Sequence, residues 1–301
     1  MMLIVGTIPI KDLPLTMGKV RSNGDSLLID GHRIPCTQGT AAMITAALVA
    51  TGYLKLDAPH VLIVGDTGKG NGSREMYEYL IQSVAKLSPQ VLALHYCLPD
   101  MALTRSLCEA LKSCNKRPTI IADAASMYAA KAAGLAQSFD IFTPDATEMA
   151  FLADPDATHP AYIAKHLFDT DVTQTPKLVA AAYAKKNAAK LLLVKGATDY
   201  IVENGNILTT VSEPNVPALE PIGGTGDTIT GLLATFVYAG LEPKEAAVIA
   251  ARTNRMAGKL ARATPATRVR QIIDQFPSVF KEYLCQWSNV CINLKPGRGN
   301  S

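Results

Sequence analysis

The sequence predicts an α/β protein: a three-layer α/β/α fold with a mostly parallel central sheet and an N-terminal β-hairpin. Three observations carry that reading. Short, fully apolar runs recur along the chain, helical stretches lie between them, and a polar residue closes each run. A run that is apolar throughout is a strand covered on both faces, which requires a parallel sheet with helices on either side.

The elements follow in order. Met1 to Ile10 is apolar and meets Lys11 and Asp12, so it reads as a first strand. Leu27-Leu28-Ile29 and His32-Arg33-Ile34 flank Asp30-Gly31, a two-residue hairpin signal of type I′. A helix rich in Ala and Met is expected from about Gly39 to Thr51. Val61–Val64 then ends in Gly65-Asp66, and Val91–Leu94 precedes a helix near Met101 to Lys112. Thr119–Ala122 ends in Asp123, before an Ala-rich helix near Ser126 to Leu135. Asp140–Phe142 ends in Thr143-Pro144, and Leu191–Val194 ends in Lys195-Gly196. In such sheets ligands sit at the carboxyl ends of the strands, where these polar residues fall. No Pro/Gly/Ser-rich linker divides the chain, so one domain is expected over 1–294, with a polar, disordered tail at 295–301.

Composition narrows the function. The chain has 301 residues, 48% hydrophobic and 18% charged, which excludes a disordered protein. Its net charge of +3 comes from scattered basic residues and its aromatics amount to 6%, so no nucleic-acid partner is expected. No apolar run approaches the roughly 18 residues of a membrane span, and the apolar start lacks a basic leader. The six cysteines form no C-x-x-C pair and are expected to be reduced and mostly buried. A cytoplasmic protein with no membrane partner is the expectation.

The most informative segment is Gly223-Gly224-Thr225-Gly226-Asp227-Thr228. Behind it Ile229, Leu232, Leu233, Phe236 and Val237 recur at helical spacing, so the glycines stand at a helix N-terminus. There unpaired backbone N–H groups and the positive end of the helix dipole favour an anion, and glycine lets the backbone approach it closely. Asp227 in that first turn satisfies the dipole, but its carboxylate would also repel a phosphate. The conflict is resolved if Asp227 is a general base taking a proton from an attacking hydroxyl while the amides hold the transferring phosphoryl group.

Gly-Gly-Thr-Gly-Asp at the start of a late helix resembles the anion-hole and catalytic-base motif of the ribokinase-like superfamily. The doubled glycine is most similar to the ATP- or ADP-dependent NAD(P)H-hydrate dehydratase branch. Val194-Lys195-Gly196-Ala197 resembles the strand end before that branch's nucleotide pocket. Thr143-Pro144-Asp145-Ala146-Thr147-Glu148-Met149 resembles its Thr-Pro-His-Pro-Gly-Glu-Met, with Asp145 in place of His. Ile121-Ala122-Asp123-Ala124 resembles its Asp-Ala strand end, and the stretch from Leu241 through Asn254 to Gly258 its final nucleotide-side helices. Glu220-Pro221-Ile222 replaces its Met-Ala-Thr.

The resemblance implies a nucleotide- and Mg²⁺-dependent enzyme. ATP or ADP would phosphorylate the hydroxyl of hydrated NADH or NADPH, and elimination would restore the dihydronicotinamide. Asp227 would be catalytic; Gly223, Gly224, Thr225, Gly226, Lys195, Gly196, Ala197 and Asn254 would bind the nucleotide or its phosphates. A homo-oligomer is expected as well. Two alternatives stay open: a kinase of a sugar, hydroxymethylpyrimidine or thiazole alcohol, and a nucleotide-binding sensor without chemistry.

The other candidates have two readings each. Asp145 and Glu148, three apart at a helix start, form a capping box or hold Mg²⁺ through water. Asp123 is an N-cap or a contact for a substrate hydroxyl. Lys195 is a snorkelling strand terminus or a nucleotide contact. Gly65 to Ser73 fails the phosphate-loop spacing and reads as a flexible substrate-side loop, with Asp66 placed to touch a hydroxyl. His32 and His95 read as structural.

Overall fold

The fold is given by a computed structural model that describes residues 1–157 and 174–290. The expected tail at 295–301 lies outside the described residues. Eleven strands form a sheet in the order β11-β10-β9-β8-β7-β6-β1-β5-β2-β3-β4. Its centre is parallel: β1 (Met2–Ile8) lies between β5 (His60–Gly65) and β6 (Val91–His95), and β7 (Thr119–Asp123), β8 (Ile141–Phe142) and β9 (Leu191–Val194) continue it. These are the apolar runs of the sequence. Their side chains alternate between two cores, Ile4, Ile63, Ala93 and Ile121 on one face and Leu3, Leu62, Leu94 and Ile120 on the other.

Both margins are antiparallel. β2 (Thr16–Asn23), β3 (Ser26–Ile29) and β4 (His32–Pro35) flank β5, and β10 (Asp199–Glu203) and β11 (Asn206–Val211) flank β9. The β3–β4 turn holds Asp30 at φ 45° and Gly31 at φ 83°, the positive pair a type I′ turn requires.

Helices cover each face. α1 (Thr40–Tyr53) begins one residue later than expected, and α3 (Met101–Lys112) matches its expected range. α4 (Ala125–Ala132) is shorter than the sequence suggested. α2 (Asn71–Leu87) buries Met76, Tyr77, Leu80 and Val84 at helical spacing, and its first turn falls within the stretch expected to be a flexible loop. α5 (Ala146–Ala153) and α6 (Thr175–Ala184) lie on the same side, whereas α7 (Thr225–Tyr238), α8 (Pro243–Leu260) and α9 (Val269–Ile273) join α1 on the other. Among the described residues no helix is long and apolar enough to cross a membrane. Cys36, Cys97, Cys108 and Cys114 are buried free thiols, as expected, whereas Cys285 is disulfide-bonded, which corrects the expectation of reduced cysteines there.

Candidate active site

The strand ends assemble the site. His95 closes β6 and Asp123 closes β7, and the two are register partners across the parallel pair. One strand further, Lys195 follows β9 and bridges to Asp145 after β8. Opposite them, α7 begins at Gly224, whose φ of 97° is a left-handed cap position suited to glycine. A cleft of about 570 Å³ opens between these groups, within the range of small-molecule sites.

Asp227 is the third residue of α7, yet its carboxylate does not turn back to cap its own helix. Oδ2 accepts the Gly39 N–H at 2.7 Å, and Oδ1 lies 2.9 Å from His95 Nε2. Burial disfavours the carboxylate, but His95, the Lys195 ammonium and the Gly39 amide outweigh it and hold the carboxyl below its ordinary value. Thr225 and Gly226 line the cleft beside it.

Gly223 and Gly224 do not line the cleft. A side chain at Gly223 would lie 2.6 Å from Gln38 Oε1, and one at Gly224 would crowd Gln38, Val269 and Ala42 at 3.1 to 3.2 Å. Both glycines thus let α7 pack closely against the approach to α1.

Lys195 Nζ donates to both oxygens of Asp123, at 2.9 and 3.1 Å, and Thr230 donates to Oδ2 at 2.5 Å. The Ala124 N–H takes Oδ1, and α4 has no side-chain cap. Asp123 is thus neither an N-cap nor a free contact for a hydroxyl; its lone pairs are taken, and it serves as the counter-ion of Lys195. Burial acts against the ammonium, but Asp123, Glu148 and Asp227 overcome it and raise its pKa. His95, Asp123 and Asp227 offer ligand atoms within 4.8 Å of one another, but Lys195 supplies the positive charge there that a metal would bring.

Gly196, Ala197, Asn254 and Arg255 also line the cleft. Asn254 Oδ1 accepts from Thr228 Oγ1 at 2.8 Å, which ties α8 to the first turn of α7. Arg255 pairs with Asp199 at 2.8 Å and donates to the Gly196 and Ala197 carbonyls, fixing the turn after β9. Leu219, on the loop before α7, packs where a side chain at Gly258 would lie 2.7 Å from its Cδ2. Asp145 and Glu148 form the full capping box of α5 and also line the cleft. Burial and the Asp145 carboxylate push Glu148 well above the ordinary glutamate value.

Asp66 is not part of the cleft. Its carboxylate accepts from the amides of Gly68, Lys69, Gly70 and Ser73 and from the Ser73 hydroxyl, all at 3.0 to 3.1 Å. The glycine-rich turn before α2 is an anion nest filled by the chain's own acid. Asp66 therefore closes its own loop.

His95, read from sequence as structural, lies against the Asp227 carboxylate, and Tyr96 beside it lines the cleft. The available signal was positional: His95 ends an apolar strand, as Asp123 ends the next one.

A model of the NAD(P)H-hydrate dehydratase family matches residues 75–277. An uncharacterized protein of Methanocaldococcus jannaschii is 35% identical over 242 residues, which cover 80% of this chain and 100% of that one. The ADP-dependent (S)-NAD(P)H-hydrate dehydratase of Xanthomonas campestris is 28% identical over 275 residues, 86% of this chain and 87% of its own. Among solved structures, the ADP/ATP-dependent NAD(P)H-hydrate dehydratase from Bacillus subtilis, co-crystallized with ATP/Mg²⁺, superposes with a TM-score of 0.56 at 13% identity, over 95% of this chain and 90% of that chain. A putative phosphomethylpyrimidine kinase from Bacteroides thetaiotaomicron gives 0.53 at 14%, over 93% and 94%. The fold is that of the ribokinase-like enzymes, as the glycine motif suggested. By the extent of the family match, the chain belongs to the NAD(P)H-hydrate dehydratase family.

Proposed function

We propose that this enzyme uses ADP or ATP with Mg²⁺ to dehydrate hydrated NADH or NADPH, phosphorylating the ring hydroxyl before it leaves. One observation carries the reading: the Asp227 carboxylate, anchored on both oxygens, stands in the first turn of a helix whose leading residues line a cleft. Asp227 takes the hydroxyl proton as that oxygen attacks the terminal phosphorus and the shorter nucleotide departs. In this reading the first-turn amides at Gly226 and Asp227 stabilise the charge of the transferring group. The ring C–O bond then breaks, phosphate leaves with the electron pair, and loss of a proton from the neighbouring ring carbon forms the double bond.

Gly196, Ala197 and Asn254 form the nucleotide wall, and Lys195 adds positive charge at its base. Asp145 and Glu148 fit a hard cation that keeps part of its water, since two carboxylates share one cleft edge. Mg²⁺ held there would neutralise phosphate charge.

The test is to incubate purified protein with hydrated NADH and either nucleotide, following dihydronicotinamide absorbance and phosphate release together. Both should appear in equal amounts, and Asp227→Asn should lower turnover by about 10²–10⁴-fold while nucleotide affinity stays. No recovery of absorbance with either nucleotide sinks the reading; turnover of a sugar, hydroxymethylpyrimidine or thiazole alcohol would replace it with a kinase.

A further inference from the structure

We propose that His95 is a positioning residue for Asp227, holding the carboxylate in the orientation in which it accepts a proton, with Thr40 in turn orienting the imidazole. The proposal rests on the reading of Asp227 as the base. His95 is fully buried, with 0% of its surface exposed at the end of an otherwise apolar strand. Neither ring nitrogen is idle. Nδ1 lies 2.9 Å from Thr40 Oγ1, and Nε2 lies 2.9 Å from Asp227 Oδ1. The ring cannot rotate without losing both partners, and the Tyr96 ring stands edge-on to it at 4.5 Å and 73°.

The backbone admits this arrangement at a specific point. A Cβ at Gly6 would lie 2.4 Å from the His95 carbonyl oxygen and 2.7 Å from Thr40 Oγ1, so only glycine on β1 lets the two meet. Tyr96 takes a φ of 51°, a left-handed conformation that a bulky residue adopts only under constraint from its surroundings. A histidine that merely filled space would need none of this.

The effect on Asp227 is geometric first. An acid in the first turn of a helix has its own N-terminal amides within reach. Here the Gly39 amide holds one oxygen and His95 the other, so the carboxylate faces the sheet edge with lone pairs left for a hydroxyl proton. The arrangement reverses the hydrolase order, in which an acid orients a histidine. The charged and titratable groups around the pair are Lys195 and Asp123 from the neighbouring strand ends, with Asp123 Oδ2 3.8 Å from His95 Nε2, and Tyr96 and Glu148 at the cleft.

The experiment compares the full chain with His95→Ala and His95→Gln by two readouts. One is the titration of the Asp227 side-chain carboxyl carbon by NMR, which needs no substrate. The other is kcat and KM across pH. In His95→Ala the carboxyl loses a donor, so its titration and the acid limb of kcat move to higher pH. There kcat falls about 10²-fold, the scale of a misplaced reacting group, with nucleotide KM unchanged. The glutamine amide can donate to the same oxygen, so His95→Gln should bring both readouts back towards wild type. If His95→Ala does not fold, Thr40→Val leaves the imidazole without its Nδ1 partner and should shift the titration in the same direction by less. An unchanged Asp227 titration in the variant, or equal kcat losses in Gln and Ala, overturns the proposal. Absence of any turnover in the wild-type chain would instead sink the dehydratase reading, and the carboxyl titration would still report on His95.

Discussion

The Lys195 ammonium bonds both oxygens of the Asp123 carboxylate, and 9% and 1% of the two side chains are exposed. Such a pair is costly to break from one side, because the survivor keeps its charge without water or partner. Asp123→Asn should therefore destabilise the protein by about 3–5 kcal/mol, measured as a fall in the urea midpoint. Adding Lys195→Met to that variant should restore much of the loss, since both charges leave together. A double variant no better than the single one would show that the pair's packing, not its charge, matters.

The loop acid Asp66 gives a contrasting expectation. Burial would raise its pKa, but the amides of Ser73, Gly70 and Gly68 and the Ser73 hydroxyl win and hold it below the ordinary value. For a depressed carboxyl the stabilisation is present above the unfolded pKa and is lost as pH falls through the folded one. Asp66→Ala should cost about 0.5–2 kcal/mol, the range of a lost helix cap, and should flatten the acid side of the stability profile. Turnover at neutral pH should be close to wild type. A loss of turnover larger than the loss of folded protein would return Asp66 to the substrate site.

What the sequence disclosed followed contact range. The Gly223–Asp227 motif was legible because glycine, helix periodicity and acid fall within a few residues of one another. The apolar strands were legible because burial on both faces leaves no polar position to alternate. His95 was not, since its partners Thr40 and Asp227 lie 55 and 132 residues away and a lone histidine at a strand end also reads as core. Asp123 does end its strand, as its place after an apolar run suggested, but its partner Lys195 lies 72 residues on and could not be read from local spacing. Asp66 misled for the opposite reason: its loop has the composition of a phosphate cradle, and only the backbone path shows the nest filled from within.

The buried lysines respond to pH in opposite senses. Lys131 donates to the carbonyls of Phe151, Asp154 and Ala157 at the end of α5, and burial lowers its pKa to about 8. Between that value and the ordinary lysine value of about 10.4, the unfolded chain binds the proton and the folded chain does not, so Lys131 makes stability rise with pH. Lys195, held above its ordinary value, contributes stability that is complete below about 10.4 and is lost as pH rises through its raised pKa. Urea midpoints taken from about pH 7 to 10 should therefore rise less in Lys131→Met than in wild type. Parallel curves would refute the low Lys131 pKa.

The contact between α1 and α7 sets the distance between the Gly39 amide and the Asp227 carboxylate, because Gly39 leads into one helix and Asp227 rides on the other. A side chain at Gly231 would lie 2.3 Å from the Met43 carbonyl oxygen and 3.2 Å from Ala46 Cβ, so the helices meet backbone to backbone there. Gly231→Ala must push them apart, at about 1–3 kcal/mol of stability. It should also stretch the 2.7 Å bond from the Gly39 amide to Asp227 and lower kcat. Gly240→Ala, beyond the far end of α7, is the matched control. Its φ of 95° makes alanine strained by about 1–2 kcal/mol, but no atom lies within 4 Å of the added carbon. The two variants should lose similar stability, and only Gly231→Ala should lose kcat among the molecules that remain folded. Equal kcat in both would mean that His95 alone suffices to hold the carboxylate.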